Sequence, residues 1–192
     1  WRASGMDSWL TEHGITLDRY SISGNGAGNI AGNGALRSGH VVRMEFVGSN
    51  PCSPIPAGQL ATRHNYLLGN NPAGWVTGVG AYQQVRWPNV YNGIDALFYH
   101  DSGHGSGHAA GQLRYDLVVH PGADPSAIRL RFGGASLVSS SSGLLRIGTT
   151  AGDIEQSELL AYQIVAGGRR VIPSAFVLHR DSTVGFHLEA YD

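Results

Sequence analysis

The chain has 192 residues, of which 42% are apolar, and its formal charge is −1 at neutral pH. This length and apolar content are sufficient for a globular core, whereas a nearly neutral chain has no long-range field to attract nucleic acid or an anionic membrane. All 13 basic residues are arginines, so Schiff-base chemistry and a phosphate-binding P-loop lysine are excluded. Because the net charge is close to zero, nucleic acid is not an expected partner.

The 28 glycines, together with the lack of long amphipathic helical patterns, indicate many short strands joined by tight turns. No apolar run approaches the roughly 20 residues that a membrane-spanning helix needs. We predict an all-β fold of antiparallel, sandwich-like sheets built from hairpins, with no substantial helices. Residues 1–192 would form a single β-rich module, or two packed β halves over about 1–120 and 121–192.

The N-terminal part begins with a predicted hairpin over residues 8–22, which turns at His13 and Gly14. Residues 23–39 are rich in Gly and Asn and are expected to form a surface loop. Residues 40–47 alternate as a strand, with Val42, Met44 and Phe46 on one face. The proline-rich segment SNPCSPIPAGQL cannot be a central strand, and a turn is expected ahead of Trp75.

The middle of the chain predicts strands at residues 82–87 and 94–100, joined by a tight turn at Asn92 and Gly93. A second surface loop is expected at residues 101–111. The stretch at 112–132 then combines an alternating strand, a stop at Pro121, a short turn capped by Asp124, and a second alternating run. We expect residues 121–125 to form a rigid turn.

The C-terminal part repeats short strand patterns separated by the turn signals SSSSG, TTAGD, AGGR and HRDS. The predicted strands cover residues 144–147, 153–156, 160–165, 171–178 and 183–190. Such a meander of hairpins fits packed antiparallel sheets better than an alternating βαβ architecture, because no helix of ten or more residues intervenes.

The motifs HNYLLGNNPAGW, VRWPNVYNGIDALFYH, LRYDLVVHPGADPSAIRLRFGGA, AYQIVAGGRRVIPSAFVL and TVGFHLEAYD occur in this order. In this order they resemble an uncharacterised β-rich domain that precedes SBBP-type β-propeller repeats in secreted bacterial surface proteins, some of which resemble gliding-associated proteins. The resemblance covers residues 39–192 well and residues 8–20 more loosely. It implies an exported protein located outside the cell or on its surface, and it supplies no catalytic residues.

The sequence HDSGHGSGH spaces His100, His104 and His108 by four residues, which on a helix is a metal-binding pattern. The glycines between the histidines forbid a stable helix, so a metal would have to order the loop itself. Ordering about nine residues at ~1–2 kcal/mol each would cancel most of the ~10–16 kcal/mol that a structural zinc site supplies. The sequence therefore supports a weak metal site at most, and the alternative is that this His-rich loop is simply the solvated end of a hairpin. No cofactor is predicted.

Two further groups of residues are candidates for a functional site, but the sequence alone does not decide their roles. Asp95 and Asp116 lie on neighbouring predicted strands and are candidates for a glycosidase carboxylate pair. The alternatives are that they are solvated or that they pair with an arginine such as Arg114 or Arg129. Five aromatic residues are candidates for stacking on sugars or for packing in a core: Trp75, Tyr82, Trp87, Tyr91 and Tyr99. The lone Cys52 is expected to be a packed or idle thiol rather than a nucleophile, because no nearby histidine motif would activate it.

These observations favour a non-enzymatic extracellular structural module of a bacterial surface protein, acting in adhesion or assembly. The alternative is a surface protein that binds or hydrolyses glycans. The expected partners are other protein chains, including copies of this chain that associate by strand addition to form a filament, and glycans. Residues 1–6 and the final strand from Thr183 are the segments expected to bridge neighbouring copies.

Overall fold

A computed structural model of the protein describes residues 2–3, 5–23, 36–100, 113–141, 143–156 and 159–191. In these ranges all strand pairs are antiparallel, and the helical segments are two short 3-10 helices, Pro72–Gly74 and Pro125–Ala127. The predicted all-β class, with antiparallel sheets built from hairpins, is confirmed. The strands are β1 (Arg2–Ala3), β2 (Met6–Thr11), β3 (Gly14–Ser23), β4 (Leu36–Phe46), β5 (Ile55–Tyr66), β6 (Val76–Tyr91), β7 (Ile94–His100), β8 (Leu113–Val119), β9 (Leu130–Gly133), β10 (Leu137–Ser141), β11 (Leu144–Gly148), β12 (Ile154–Gln156), β13 (Ala161–Val165), β14 (Gly168–Ile172), β15 (Ser174–Leu178) and β16 (Thr183–Leu188).

The chain divides into two compact units, one formed by residues 1–49 and 124–192 and the other by residues 50–123. One boundary lies close to the division at 120/121 considered from the sequence. The other unites residues 1–49 with the C-terminal part, because β4 pairs directly with β9. In the order of the chain, the second unit is therefore an insertion between β4 and β9 of the first.

The first unit contains a seven-stranded sheet in the order β1-β2-β3-β4-β9-β16-β15. The alternation predicted for residues 40–47 is confirmed, since Val42, Met44 and Phe46 are buried while Val41 is exposed. The residues opposite them on β3 and β9 extend the same apolar face: Ile15, Leu17, Leu130 and Phe132. This face carries a large share of the first unit's buried apolar side chains.

The predicted N-terminal hairpin is present as β2 and β3, but the turn predicted at His13 and Gly14 is wrong by one residue. It lies at Glu12 and His13, because Thr11 pairs with Gly14 and Gly14 is the first residue of β3. Gly14 has a φ of 147° and packs tightly against β4. A Cβ atom at this position would lie 2.1 Å from the carbonyl oxygen of Met44. Glycine is required here because any side chain would collide with the backbone of the neighbouring strand.

Two smaller sheets complete the first unit, one with the order β10-β11-β12 and the other formed by β13 and β14. Leu145 and Ile147 on β11 are fully buried. The turn after β11 is tied to the large sheet through His40, whose Nδ1 accepts from the Thr150 N–H at 3.2 Å. His40 Nε2 therefore carries the proton, which it donates to the Gly134 carbonyl oxygen at 2.6 Å.

The second unit is a four-stranded sheet in the order β5-β6-β7-β8. The proline-rich segment contributes β5, which contains Pro56 and lies at the edge of the sheet, as expected for a strand with a missing N–H donor. The pairing of β5 with β6 is interrupted by two register shifts, and that of β6 with β7 by one. The predicted turn at Asn92 and Gly93 joins β6 to β7, where Gly93 has a φ of 72°.

The predicted turn after β8 is also present. The Asp124 side chain accepts a hydrogen bond from the Ser126 N–H at 2.8 Å and thereby caps the 3-10 helix Pro125–Ala127. The second alternating run follows as predicted, with Ile128 and Leu130 buried. The hydrogen bonds from Ser126 lower the pKa of the exposed Asp124 carboxyl.

Replacing Asp124 with alanine is expected to lower the thermal unfolding midpoint, because the Ser126 N–H loses its acceptor. Asp153 provides a matched control, since it is also exposed and makes a longer, 3.6 Å contact with Arg146. Calorimetry of the two alanine variants measures the difference. Equal midpoints for the two variants would show that the cap has no stabilising effect.

Besides the position of the N-terminal turn, three sequence expectations about local structure are wrong. Residues 36–39 are not part of the Gly/Asn-rich loop, because β4 starts at Leu36 and pairs with the end of β3; residues 24–35 and the predicted loop at 101–111 lie outside the described residues. The serine run is not a turn signal alone, since β10 reaches Ser141. The single strand predicted over 171–178 is two strands separated at Pro173, which cannot donate to a ladder.

Candidate functional site

A polar cluster surrounds Asp95, the second residue of β7 in the second unit. The Asp95 carboxylate is buried and accepts hydrogen bonds from the Asn89 N–H at 2.6 Å, Arg86 Nη2 at 2.7 Å and His120 Nε2 at 2.9 Å. Burial acts to raise the pKa of this carboxyl, but these hydrogen bonds outweigh burial and lower its pKa. Asp95 is therefore held as a carboxylate with its lone pairs largely occupied.

The local sequence explains why these groups converge on Asp95. Asn89 adopts a left-handed conformation with a φ of 53°, and its side chain accepts from the Gly93 N–H at 2.8 Å. Asn50 then donates from its amide to the Asn89 carbonyl and to Asn92 Oδ1, at 2.9 and 3.1 Å. His120 donates its backbone N–H to the Gly93 carbonyl. The NGID segment, residues 92–95, is thus part of a hydrogen-bonded clasp at the end of the β6–β7 hairpin.

The two acids of the candidate carboxylate pair lie on one face of this sheet, but they are bonded to different partners. Asp95 is paired with Val118 and Asp116 with Leu97, so the two acids are diagonal neighbours on β7 and β8. Asp116 accepts from the Tyr99 hydroxyl at 3.2 Å, and the arginine that binds Asp95 is Arg86. Glycoside hydrolysis needs one acid with a raised pKa, whereas the pKa of Asp95 is lowered. Asp95 is therefore unsuited to act as a general acid.

Of the two arginines that the sequence suggested as partners of the acids, Arg129 bonds to other groups, and Arg114 lies on β8 opposite Tyr99. Arg129 Nη1 donates to the backbone carbonyls of Ser126 and Ile128, which belong to the turn after β8. Sequence reasoning missed Arg86 and His120 as partners of Asp95. Arg86 shares the motif VRWPNVYNGIDALFYH with Asp95, but nothing in that motif indicates that the two side chains pair, and strand register brings them together with His120.

The proposed metal-binding histidines fall only partly within the described residues. His100 ends β7 and pairs with Leu113 on β8, while His104 and His108 lie outside the described ranges. Burial lowers the pKa of His100, which favours its neutral form. Among the described residues, no three potential ligands are grouped closely enough to hold a metal ion. The weak metal site therefore stays a prediction.

The five aromatic candidates have different environments. Trp87 and Tyr91 are buried, and Trp87 packs edge-to-face on Phe98 with ring centroids 5.0 Å apart. Tyr99 donates to Asp116, whereas Trp75 and Tyr82 are about 40% exposed. Core packing thus accounts for Trp87 and Tyr91, and Trp75 and Tyr82 have surface available for a ligand.

Cys52 lies in the loop before β5 and is partly buried. Burial raises the pKa of its thiol, so the thiolate population at neutral pH is reduced. This environment is the opposite of the one that activates a cysteine nucleophile.

Two exposed apolar surfaces were missed in the sequence. The first, which we name the ribbon, is the β13–β14 hairpin, where Tyr162, Ile164 and Val171 share an outward face and are 40%, 75% and 60% exposed. The second, which we name the hairpin tip, is residues 66–76 between β5 and β6, where Leu67 and Leu68 are exposed. The hairpin tip and β13 of the ribbon lie in stretches without Asp, Glu, Lys or Arg, residues 65–85 and 159–168, and this feature of the sequence could have indicated them.

The described part of the chain thus defines an antiparallel all-β module with an internally satisfied polar cluster and two exposed apolar surfaces. No helix in it is long and apolar enough to cross a membrane. The chain belongs to the family described as a domain of unknown function (DUF7948), which it matches over residues 1–192. Comparison with curated proteins and with solved structures gives no match.

Proposed function

We propose that this chain is a non-enzymatic structural module of an extracellular bacterial surface protein, and that it acts in adhesion or assembly by pairing with another protein chain. The motif order that resembles the domain preceding SBBP-type repeats supports the extracellular location. The observation that carries the assembly role is the ribbon, a two-stranded sheet with an exposed apolar face and an unprotected strand edge.

The outer edge of β13 has no strand beside it among the described residues. Natural edge strands are protected against pairing by charged side chains, proline or bulges, but β13 contains none of these and its register with β14 is continuous. A two-stranded sheet is also marginally stable in water without further strands or packing. Both properties favour the addition of another strand to β13.

The β13 strand of a second copy of this chain is a suitable partner for that edge. If two β13 strands pair antiparallel about a two-fold axis through Gln163, Tyr162 of each copy lies opposite Ile164 of the other. β13 carries no charge, so this pairing brings no like charges together along the shared edge. The two arginines of the ribbon lie on β14, where Arg169 stacks on Tyr162 within its own ribbon at 3.9 Å.

This contact is isologous and closes after two copies, so a filament needs a second and different contact. Of the two segments expected to bridge copies, the final strand β16 is paired with β15 and also with β9 at Thr183 and Val184. β1, in contrast, lies at the edge of the seven-stranded sheet. The N-terminal edge is therefore the better candidate for extending an assembly.

Ile164→Asp is expected to weaken self-association by about tenfold or more, because the pairing would bury a carboxylate at the shared edge. The same carboxylate lies opposite Arg169 within the ribbon, so the hairpin itself keeps a favourable pair. Leu68→Asp is the matched control, since Leu68 is 76% exposed and Ile164 is 75% exposed.

Sedimentation velocity over a concentration series measures this effect. We expect the wild type and Leu68→Asp to shift from monomer to dimer as concentration rises, while Ile164→Asp stays monomeric with an unchanged unfolding midpoint. A wild-type chain that is monomeric at every concentration would contradict the proposal, as would equal association of the two aspartate variants.

A further inference from the structure

The hairpin tip concentrates exposed apolar side chains at the end of the long β5–β6 hairpin. Its exposed fractions are 51% for Tyr66, 55% for Leu67, 76% for Leu68, 40% for Trp75 and 55% for Val76. Tyr66 and Val76 pair across the strands, so these five side chains lie in one region at the far end of the sheet. Neither the polar cluster nor the ribbon uses this surface.

The hairpin tip is an ordered turn whose polar groups are bonded to one another. Asn71 caps the 3-10 helix by accepting from the Ala73 N–H at 3.1 Å, and the Trp75 N–H donates to the Pro72 carbonyl at 3.1 Å. The Trp75 indole Nε1 donates to the Gly69 carbonyl at 3.2 Å. The apolar side chains are therefore presented on a turn that satisfies many of its own donors and acceptors, as an apolar environment requires.

The hairpin also has a long stretch without Asp, Glu, Lys or Arg around its tip. Residues 65–85 contain no Asp, Glu, Lys or Arg, and the first of these residue types beyond the hairpin tip on β5 is Arg63. At roughly 3.3 Å per residue, Arg63 is about 10 Å from Tyr66 along the strand, comparable to the depth of ~5–10 Å at which interfacial elements bury apolar side chains. Insertion to this depth would leave Arg63 at the level of lipid headgroups.

We propose that the hairpin tip docks onto a lipid surface, with Leu67, Leu68 and Trp75 entering the interface. The surface lies at the end of a hairpin and carries no charge, so it fits a deformable apolar layer without a desolvation cost for ions. Tyr and Trp are the residues favoured at the boundary between headgroups and acyl chains. The amide oxygens of Asn65 and Asn71 already accept backbone N–H groups within the hairpin, which leaves fewer acceptors for the hydroxyls of a glycan.

Co-sedimentation with vesicles tests this assignment. The full chain is mixed with phosphatidylcholine vesicles, and separately with vesicles that also contain phosphatidylglycerol. We expect binding to both, and we expect the double variant Leu67→Ser/Leu68→Ser to bind both at least about tenfold more weakly. Ile164→Ser, an equally exposed apolar-to-polar change on the ribbon, is the matched control and should bind as the wild type does. Circular dichroism confirms that each variant is folded.

The proposal is overturned if the wild type binds neither vesicle, or if the double variant binds as well as the wild type does. Binding to anionic vesicles alone, unchanged by the leucine substitutions, would assign the interaction to the arginines instead. A glycan array bound by the wild type and lost in the double variant, without vesicle binding, would make the hairpin tip a sugar site. Because the ribbon is unchanged in the double variant, failure here leaves the self-association result independent.

Discussion

Asp95→Ala is expected to lower the free energy of unfolding by about 2 to 3 kcal/mol. The substitution removes the acceptor of three donors at once, namely the Asn89 N–H and the side chains of Arg86 and His120. The Arg86 and His120 side chains are about half exposed, so water can replace part of the loss for them. The Asn89 N–H has its 2.6 Å bond to a buried carboxylate and loses more.

Asp116→Ala is the matched control because Asp116 lies on the neighbouring strand of the same sheet but is exposed. Its removal should change the free energy of unfolding by no more than about 0.5 kcal/mol. Urea denaturation of both variants measures the difference. Similar values would show that the clasp around Asp95 does not stabilise the second unit.

The Asp95 contribution should also depend on pH in a defined direction. The hydrogen bonds hold the folded-state pKa of Asp95 below its ordinary value of 3.8. A lowered pKa gives stability that is present above the unfolded-state pKa and is lost as the pH falls through the folded-state pKa. The stability difference between the wild type and Asp95→Asn should therefore shrink between about pH 5 and about pH 2. A difference that grows on acidification would contradict the lowered pKa.

Gly14→Ala is expected to destabilise the first unit by about 3 kcal/mol or more, through backbone strain and a collision with β4. The added Cβ would lie 2.1 Å from the Met44 carbonyl oxygen, so β3 and β4 must separate locally. Met44 is itself fully buried in the apolar face of the sheet. The effect should therefore spread beyond the turn, and thermal unfolding measures it.

Gly48→Ala separates the two causes. Gly48 also has a positive φ, 72°, but a Cβ there would meet no atom within 4 Å. We expect a cost of about 1 kcal/mol, from the left-handed conformation alone. If the Gly14 and Gly48 variants unfold at the same temperature, the collision with β4 does not add to the destabilisation.

Much of the fold could be predicted from the sequence because its local signals are strong. The alternation around Met44, the glycine at position 93 and the aspartate cap at position 124 each give a local structure by themselves. The serine run of β10 could not be read in this way, because serine is common in turns and its strand depends on pairing with β11. The union of residues 1–49 with residues 124–192 depends on the long-range β4–β9 pair, which leaves no local signal.

The candidate sites were less predictable than the fold. The partners of Asp95 come from β6 and from the end of β8, and only strand register shows that they meet. The exposure of β13 could not be predicted either. Its sequence pattern is typical of a buried strand, whereas its Ile164 is 75% exposed. An apolar run shows how much surface can be buried, but the remaining strands decide whether it is.

Hydrogen–deuterium exchange of the ribbon, followed from dilute to concentrated protein, tests the proposed assembly most directly. We predict that the amides of residues 160–165 become protected as concentration rises, because the outer edge of β13 gains a partner strand, and that Ile164→Asp abolishes this protection. The hairpin tip at residues 66–76 should exchange equally at all concentrations. Exchange of residues 160–165 that is independent of concentration would contradict assembly through β13.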